Sequence, residues 1–454
     1  MFKVIYRLSL FEGLRLANME IRKKLSFLLK TTLIIFYGCE DEKVTENIDL
    51  SSIIETPVTY TFNSRFVSDE SSVSYSDQVN MNMMVLDLKT MTDFPGTSSG
   101  LPIAMENMTR LYEYDESYNF YSWINTDPYS SQKFYNNISS SGPNLAGKIN
   151  NDEVYGFDET ANSLILHWMQ EIADNSNDFD KVGSFLAITD QNGLNLSEMI
   201  NKTILGAVLY FNGIPNQLNN LEMLDNSSSY SEDSFYSALE HSWDESFGYF
   251  GASVDYNTGY LDDIDRIEDP FFDSDSDGVI SFKSEYIFSN ALFAARRDSG
   301  AMDESINFTK SIFDAFIEGR TLIHNQESID KVLAQGQIIA NNWEKVIAAT
   351  IIHNINKLDH HMSDLEPSSG PLSFTSIDYN KIWSRMRALT ISLQYSNIKL
   401  ISDADLLMIV DLMGESPLYP NNELFSTYQI TLKETVKNIL QSTYGFSDAN
   451  MDSW

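Results

Sequence analysis

Residues 329–358 carry the pattern that leaves the fold least freedom. Val332, Ile339, Trp343, Val346, Ile347 and Ile351 recur at helical spacing and stripe one face over many turns. That predicts a long helix with one side in a core. Met81, Met84, Val85, Leu88 and Met91 repeat the pattern over 78–92, and Leu164, Ile165, Trp168, Met169 and Ile172 over 160–174. Ile200, Ile204, Val208 and Leu209 mark a third helix, and further helical patterns cover 283–297, 303–323, 377–396, 402–413 and 428–443. Pro57–Phe62 alternates instead, as a short strand or an extended lead-in does. Polar, turn-rich separators lie at 113–156, 212–229, 251–282 and 366–375. No repeat of fixed period is visible, which argues against a solenoid. The expected fold is mostly α, a multi-helix bundle over 58–445, as one body or as two lobes divided near residue 210, with a tail at 446–454.

The chain has one cysteine, so no intrachain disulfide can brace it, and stability has to come from burial. Hydrophobic residues at 43% and aromatics at 12% supply a large core and argue against disorder. That cysteine, Cys39, has a telling position. Arg22, Lys23 and Lys24 precede a mostly apolar run, Leu25–Gly38, which ends on a small residue just before the thiol. This order predicts a signal peptide over 1–38, with Met19 as an alternative start, and acylation of Cys39 as the mature N-terminus. The apolar run falls short of the roughly 20 apolar residues a membrane span needs, and Lys30 interrupts it. Glu40, Asp41 and Glu42 open an acidic tether over 39–57. The expected location is the cell outer membrane, lipid-anchored through Cys39 and surface-exposed.

Formal charge sharpens the choice of partner. It is −35 for the whole chain, and removal of residues 1–38 takes away seven basic residues and two glutamates. Such a field repels nucleic acid and anionic lipid and attracts divalent cations and basic partners. Nucleic-acid binding is excluded on this ground.

The segment richest in chemistry is Asp273-Ser-Asp275-Ser-Asp277-Gly278-Val-Ile280-Ser281-Phe-Lys-Ser284-Glu285. A calcium loop sets oxygens at alternate positions, glycine at the sixth for a sharp turn and an apolar residue at the eighth. Asp273, Asp275, Asp277, Gly278 and Ile280 fit those places, with the Val279 carbonyl and the Ser281 hydroxyl (or a bound water) as further ligands. The closing carboxylate departs from that spacing: the twelfth place holds Ser284, and Glu285 comes one residue late. Asp262, Asp263, Asp265, Glu268 and Asp269 lie nearby, so eight acids face Arg266 alone between 262 and 277. Those charges repel one another unless solvent or a cation offsets them. A solvated acidic turn that caps a helix beginning near Ser281 is the plainer alternative.

A second constellation is His241, Asp244 and Glu245, which helical spacing puts within one turn. A nitrogen and a carboxylate there could share an iron, a zinc or a proton, with His167, His353, His360 or His361 as ligands from another helix. The plainer reading is a core histidine held by a neighbouring acid. Gly-x-Ser-x-Gly, His-Glu-x-x-His, phosphate-cradling glycine loops and Cys-x-x-Cys are all absent, so no catalytic residue and no organic cofactor site is assigned.

Several ordered blocks carry a family likeness: Tyr60-Thr-Phe-Asn63, His241–Gly251, Asp277–Tyr286, Ile382–Gln394 and Met413–Pro417. Together they resemble the Bacteroidota lipoproteins known as domain of unknown function 4856, over about 58–445. The resemblance implies a secreted, mostly helical protein. A more distant likeness is to imelysins, two-lobed helical envelope proteins tied to iron uptake and once regarded as peptidases. Their signature is Gly-x-His-x-x-Glu. Here Leu239 replaces the glycine, Asp244 stands where the glutamate would be, and Glu245 comes one place late. Three functions follow as expectations: a binding or accessory lipoprotein beside an outer-membrane receptor or transporter for iron or haem; a metal-dependent hydrolase or peptidase using the His241 block; or a structural or adhesion module stiffened by calcium.

Overall fold

The long apolar stripe does become one long helix. In the computed structural model, which describes residues 53–115, 117, 119–256, 269–298 and 306–454, the helices are α1 (Ser76–Asp93), α2 (Met105–Tyr112), α3 (Ala161–Ser176), α4 (Leu196–Ile204), α5 (Ala238–Phe250), α6 (Ser289–Arg297), α7 (Phe308–His324), α8 (Ile329–Asp364), α9 (Ile377–Ser392), α10 (Asp403–Met413), α11 (Phe425–Ile430), α12 (Lys437–Tyr444) and α13 (Asp448–Ser453). Strand pairing among the described residues is confined to isolated bridges. The fold is mostly α. The signal peptide, Cys39, the first part of the tether and Asp262, Asp263, Asp265 and Glu268 lie outside the described residues.

Local chemistry explains where the helices begin. Asn195, Ser237, Asn307 and Ser402 each accept the N–H three residues on, which satisfies a donor the first turn leaves orphaned. At Ser237 the exchange is reciprocal, because Glu240 Oε2 accepts the Ser237 N–H at 2.8 Å. Gly251, at φ +82°, ends α5 in the left-handed conformation.

Helix α8 is the spine, and Val332, Ile339, Trp343, Val346, Ile347 and Ile351 are all buried along it. It packs against α6, α7 and α9. Helices from either side of residue 210 interlock: α4 lies on α9, and α1 lies on α5. Ser52–Trp454 forms one unit.

Of the two readings of Pro57–Phe62 the extended lead-in is the one found, and its Tyr60 N–H donates to the Val254 carbonyl at 2.8 Å. Three local expectations need correction. The helix expected near Ser281 begins at Ser289, because residues 284–288 are held by Val254, Phe272, Pro270 and Gly251 instead. Residues 212–216, read as a separator, continue α4 through wide π-type turns that accommodate Pro215. Helices α2, α5 and α13 lie outside every helical range read from the sequence, although helical spacing was assumed for His241, Asp244 and Glu245 on α5.

Candidate functional site

The acidic bend between Phe271 and Tyr286 holds the densest set of ligand oxygens. Oxygens of Asp273, Asp275 and Asp277 lie within 4.8 Å of one another, the one such group of three among the described residues. The backbone does this by turning sharply. Gly278 sits at φ +84°, where a side chain is strained, and Ser276 at φ +60°. Asp273 accepts the N–H of Asp277 at 3.1 Å and of Gly278 at 3.0 Å, while Asp277 Oδ1 accepts that of Val279 at 2.9 Å. Among the described residues none of the three aspartates is ion-paired to a basic side chain.

Glu285 stands outside this group yet clasps both ends of the loop. Its Oε1 accepts the Ser274 N–H at 2.8 Å, and its Oε2 accepts the Ser281 N–H at 2.9 Å. Ser284, in the twelfth place, gives its carbonyl to the Val254 N–H instead. The carboxylate that arrives one residue late is therefore the one that spans the loop. Below it, Ile280 is buried, and its N–H donates to the Tyr129 carbonyl at 3.1 Å. The Phe282 N–H donates to Gln132 Oε1 at 2.7 Å. The acidic bend is thus docked on the 121–134 segment.

The second constellation divides. His241 Nε2 is 3.9 Å from Glu245 Oε1, and its ring stacks on Tyr236 at 4.6 Å. Glu245 also accepts from Gln78 and Gln217, each at 2.7 Å. Asp244 points elsewhere. Fully buried, it accepts from Tyr60 Oη at 2.7 Å, Arg320 Nε at 2.9 Å and the Ser74 N–H at 3.1 Å. Adjacent helical residues diverge by roughly 100°, so one helix cannot aim Asp244 and Glu245 at a single point. His167 and His360 are exposed, His361 is half-buried, and no histidine joins a group of three ligand atoms among the described residues.

Arg320, Glu240, Arg65 and Tyr60 form a buried network for which no role was read from the sequence. Arg320 Nη1 meets Glu240 Oε1 at 2.9 Å, and Arg65 Nε reaches the same oxygen at 3.1 Å. Burial pushes the Glu240 carboxyl up, but Arg320 and Arg65 outweigh it and hold the group below its ordinary value. Arg320 Nη2 donates to Ser72 Oγ at 2.7 Å, and its guanidinium lies 4.9 Å from the Phe62 ring centroid. The network clamps the lead-in after the tether onto α5 and α7. Two signals for it are legible: the Ser237-x-x-Glu240 capping box, and Arg320 one and two turns on from Phe316 and Phe313 along an apolar face.

His353, offered above as a metal ligand, is a half-buried member of α8. Burial, with Arg297 and Lys357 nearby, pushes its imidazole from 6.5 down to about 3. The folded chain keeps this ring neutral at a pH where the unfolded chain protonates it. Below about pH 6.5 the unfolded state takes up the extra proton, so stability falls as pH drops toward about 3. In His353→Gln the acid limb of a plot of unfolding free energy against pH is expected to flatten. An unchanged slope in urea titrations at pH 6.5 and 4.5 would contradict this.

Fold and site together define a helical protein with an aspartate-rich loop and a clamped N-terminal lead-in. Among the described residues no helix is long and apolar enough to cross a membrane. Residues 57–446 match the family model described as domain of unknown function (DUF4856), and the chain belongs to that family. No curated protein and no solved structure matches it.

Proposed function

We propose that the chain is an exported, lipid-anchored protein of the cell envelope that binds its target, and that its Asp273–Glu285 loop takes calcium as a structural brace. The observation that carries the calcium reading is the convergence of three carboxylates within 4.8 Å at a glycine-turned bend. Like charges so close cost about 1–4 kcal/mol per pair at surface dielectric values, a cost that a hard dication reverses. Asp273, Asp275 and Asp277 would hold it, with the Val279 carbonyl and Ser281 as further oxygens, while Glu285 would join only by giving up its hold on the Ser274 or Ser281 N–H. A cation inside such a set of oxygens stiffens the bend and, through Tyr129 and Gln132, the segment beneath it. The signal pattern before Cys39 supports the envelope address.

Metal-dependent hydrolysis draws little support, since Asp244 is committed to Arg320 and Tyr60. An iron or haem role also draws little, because the histidines do not gather. Binding, with adhesion as one form of it, is the reading we retain, supported by the export signal before Cys39.

Elemental analysis and melting of the mature protein test the brace. At calcium one hundred times its dissociation constant, stability is expected to rise by about 2.7 kcal/mol over the chelated form. Asp275→Ala with Asp277→Ala should abolish that rise and leave the chelated melting point at or above the parent value, because the repulsion is relieved. No bound calcium, together with a melting point indifferent to chelator, would refute the proposal.

A further inference from the structure

A groove of about 890 Å³ opens beside the C-terminal end of α1, walled by α2 and by residues 120–125. Its size lies within the range of small-ligand pockets. Phe94, Tyr121 and Trp123 line it and are exposed, Tyr121 at 53% and Trp123 at 43%. Single exposed aromatics are ordinary on a protein surface, but three around one groove are not. Asn107, Asn125 and Arg110 stand among them with amide and guanidinium groups.

The aromatic wall is rigidly built. The Trp123 N–H donates to Asp87 Oδ1 at 2.8 Å, and Tyr135 Oη donates to Asp87 Oδ2 at 2.8 Å. Asp87 is fully buried, so this anchor is shielded from water. The Ser122 N–H donates to the Lys133 carbonyl at 2.8 Å, and Phe120 meets the Trp123 ring edge-on at 5.3 Å. A tryptophan held by its backbone N–H and by a T-shaped ring contact, yet 43% exposed, can meet a ligand at a reduced ordering cost.

Charge selects among occupants. Among the described residues that line this groove there is no carboxylate, although the chain carries 65 Asp and Glu. The 670 Å³ groove at 153–159 is lined instead by Glu153, Asp158, Glu159 and Glu415. A lining without carboxylates, whose one arginine is ion-paired to Glu106 at 4.0 Å, suits a neutral or weakly anionic ligand, not the cations that the rest of the surface attracts. That ligand needs flat apolar faces for the rings and hydroxyl edges for the two amides. Pyranose sugars have both, since axial C–H groups form one face and hydroxyls form the rim.

We infer that this groove is a saccharide-binding site in which Trp123 is the principal stacking residue. The inference deepens the binding reading above, and the groove shares the 121–134 segment with the acidic bend, so its test is run with and without calcium. Titration calorimetry with hexasaccharides of glucose, mannose, N-acetylglucosamine and galacturonic acid tests it, run on the mature chain in calcium and again in chelator. At least one sugar is expected to bind. Trp123→Ala should weaken that binding about tenfold or more, with melting point and circular dichroism unchanged, and Trp123→Phe should recover part of it. Absence of binding by all four sugars at millimolar concentration, in both buffers, overturns the inference. So does binding that the Trp123→Ala protein retains in full. Uptake of a fluorescent fatty acid into the groove, with no sugar bound, also overturns it in favour of lipid. The calcium proposal is read from bound metal and from melting, and the sugar proposal from binding in either buffer, so the two failures stay distinguishable.

Discussion

Arg320→Leu is expected to destabilise the folded chain by about 3–5 kcal/mol, read from urea denaturation, because it strands the buried carboxylates it serves. Arg320 is fully buried and bridges Asp244 at 2.9 Å and Glu240 at 2.9 Å. Leucine fills much of the space but offers no donor. Asp244 would keep Tyr60 and the Ser74 N–H, and Glu240 would keep Arg65, so each acid retains part of its pairing. That retained pairing limits the loss to single figures. Replacing the three charges together, by Arg320→Met, Asp244→Leu and Glu240→Met, should recover a part of it, since a buried ionic set contributes less than the removal of one member suggests. A loss under about 1 kcal/mol for Arg320→Leu alone would mean that the clamp is held by packing and not by charge. The lead-in should show the damage first, as faster amide exchange at residues 60–74 than across α8.

The second large effect concerns the contact between α5 and α7. A Cβ on Gly319 would stand 2.0 Å from Cζ2 of Trp243. The indole cannot step aside easily: it is fully buried, its Nε1 donates to the Phe316 carbonyl at 2.9 Å, and the Phe316 ring meets it edge-on at 6.1 Å. Gly319→Ala should therefore cost about 1–3 kcal/mol through overpacking, even though alanine favours the helix by about 1 kcal/mol. Trp243→Ala alone should cost about 3–5 kcal/mol. In the Trp243→Ala protein the clash is gone, and Gly319→Ala should then stabilise. That reversal of sign in a double-mutant cycle, measured by thermal or urea unfolding, is the decisive result. If Gly319→Ala destabilises equally in both backgrounds, the glycine serves the backbone and not the tryptophan.

How much of this was legible depended on the range over which each interaction acts. The stripe from Val332 to Ile351 was readable because one side chain per turn facing a core is a local periodicity, and α8 carries it almost without interruption. The same holds for α1, α3 and α7. The turn at Asp273–Gly278 was also readable, since alternating oxygens and a glycine at the sixth place follow from the chain's own geometry. Helix α2 was missed because Met105, Met108 and Leu111 make too short a pattern to stand out from a loop. The π-type turns after Ile204 were legible only as far as Val208 and Leu209, because wide turns shift the register of α4 and the pattern is lost beyond them.

Spacing alone misled at His241. It placed Asp244 and Glu245 as equivalent neighbours, yet the two side chains leave α5 in different directions and find Arg320 in one case and Gln78 with Gln217 in the other. Glu285 was the converse. Its place one residue late looked like a defect in the loop, and only the backbone trace shows that it reaches the N–H groups at both the entry and the exit.

Local sequence determined that this chain is helical, acidic, free of intrachain disulfides and furnished with an aspartate-rich bend, because periodicity, charge and turn chemistry act between near neighbours. Tertiary structure decided which charges are buried together and where the aromatic groove lies. Arg320 and Tyr60 meet at Asp244, and Trp123 meets Asp87, only after segments far apart in the chain have packed. Partners of that kind are set by the shape of the core, which no local pattern of residues encodes.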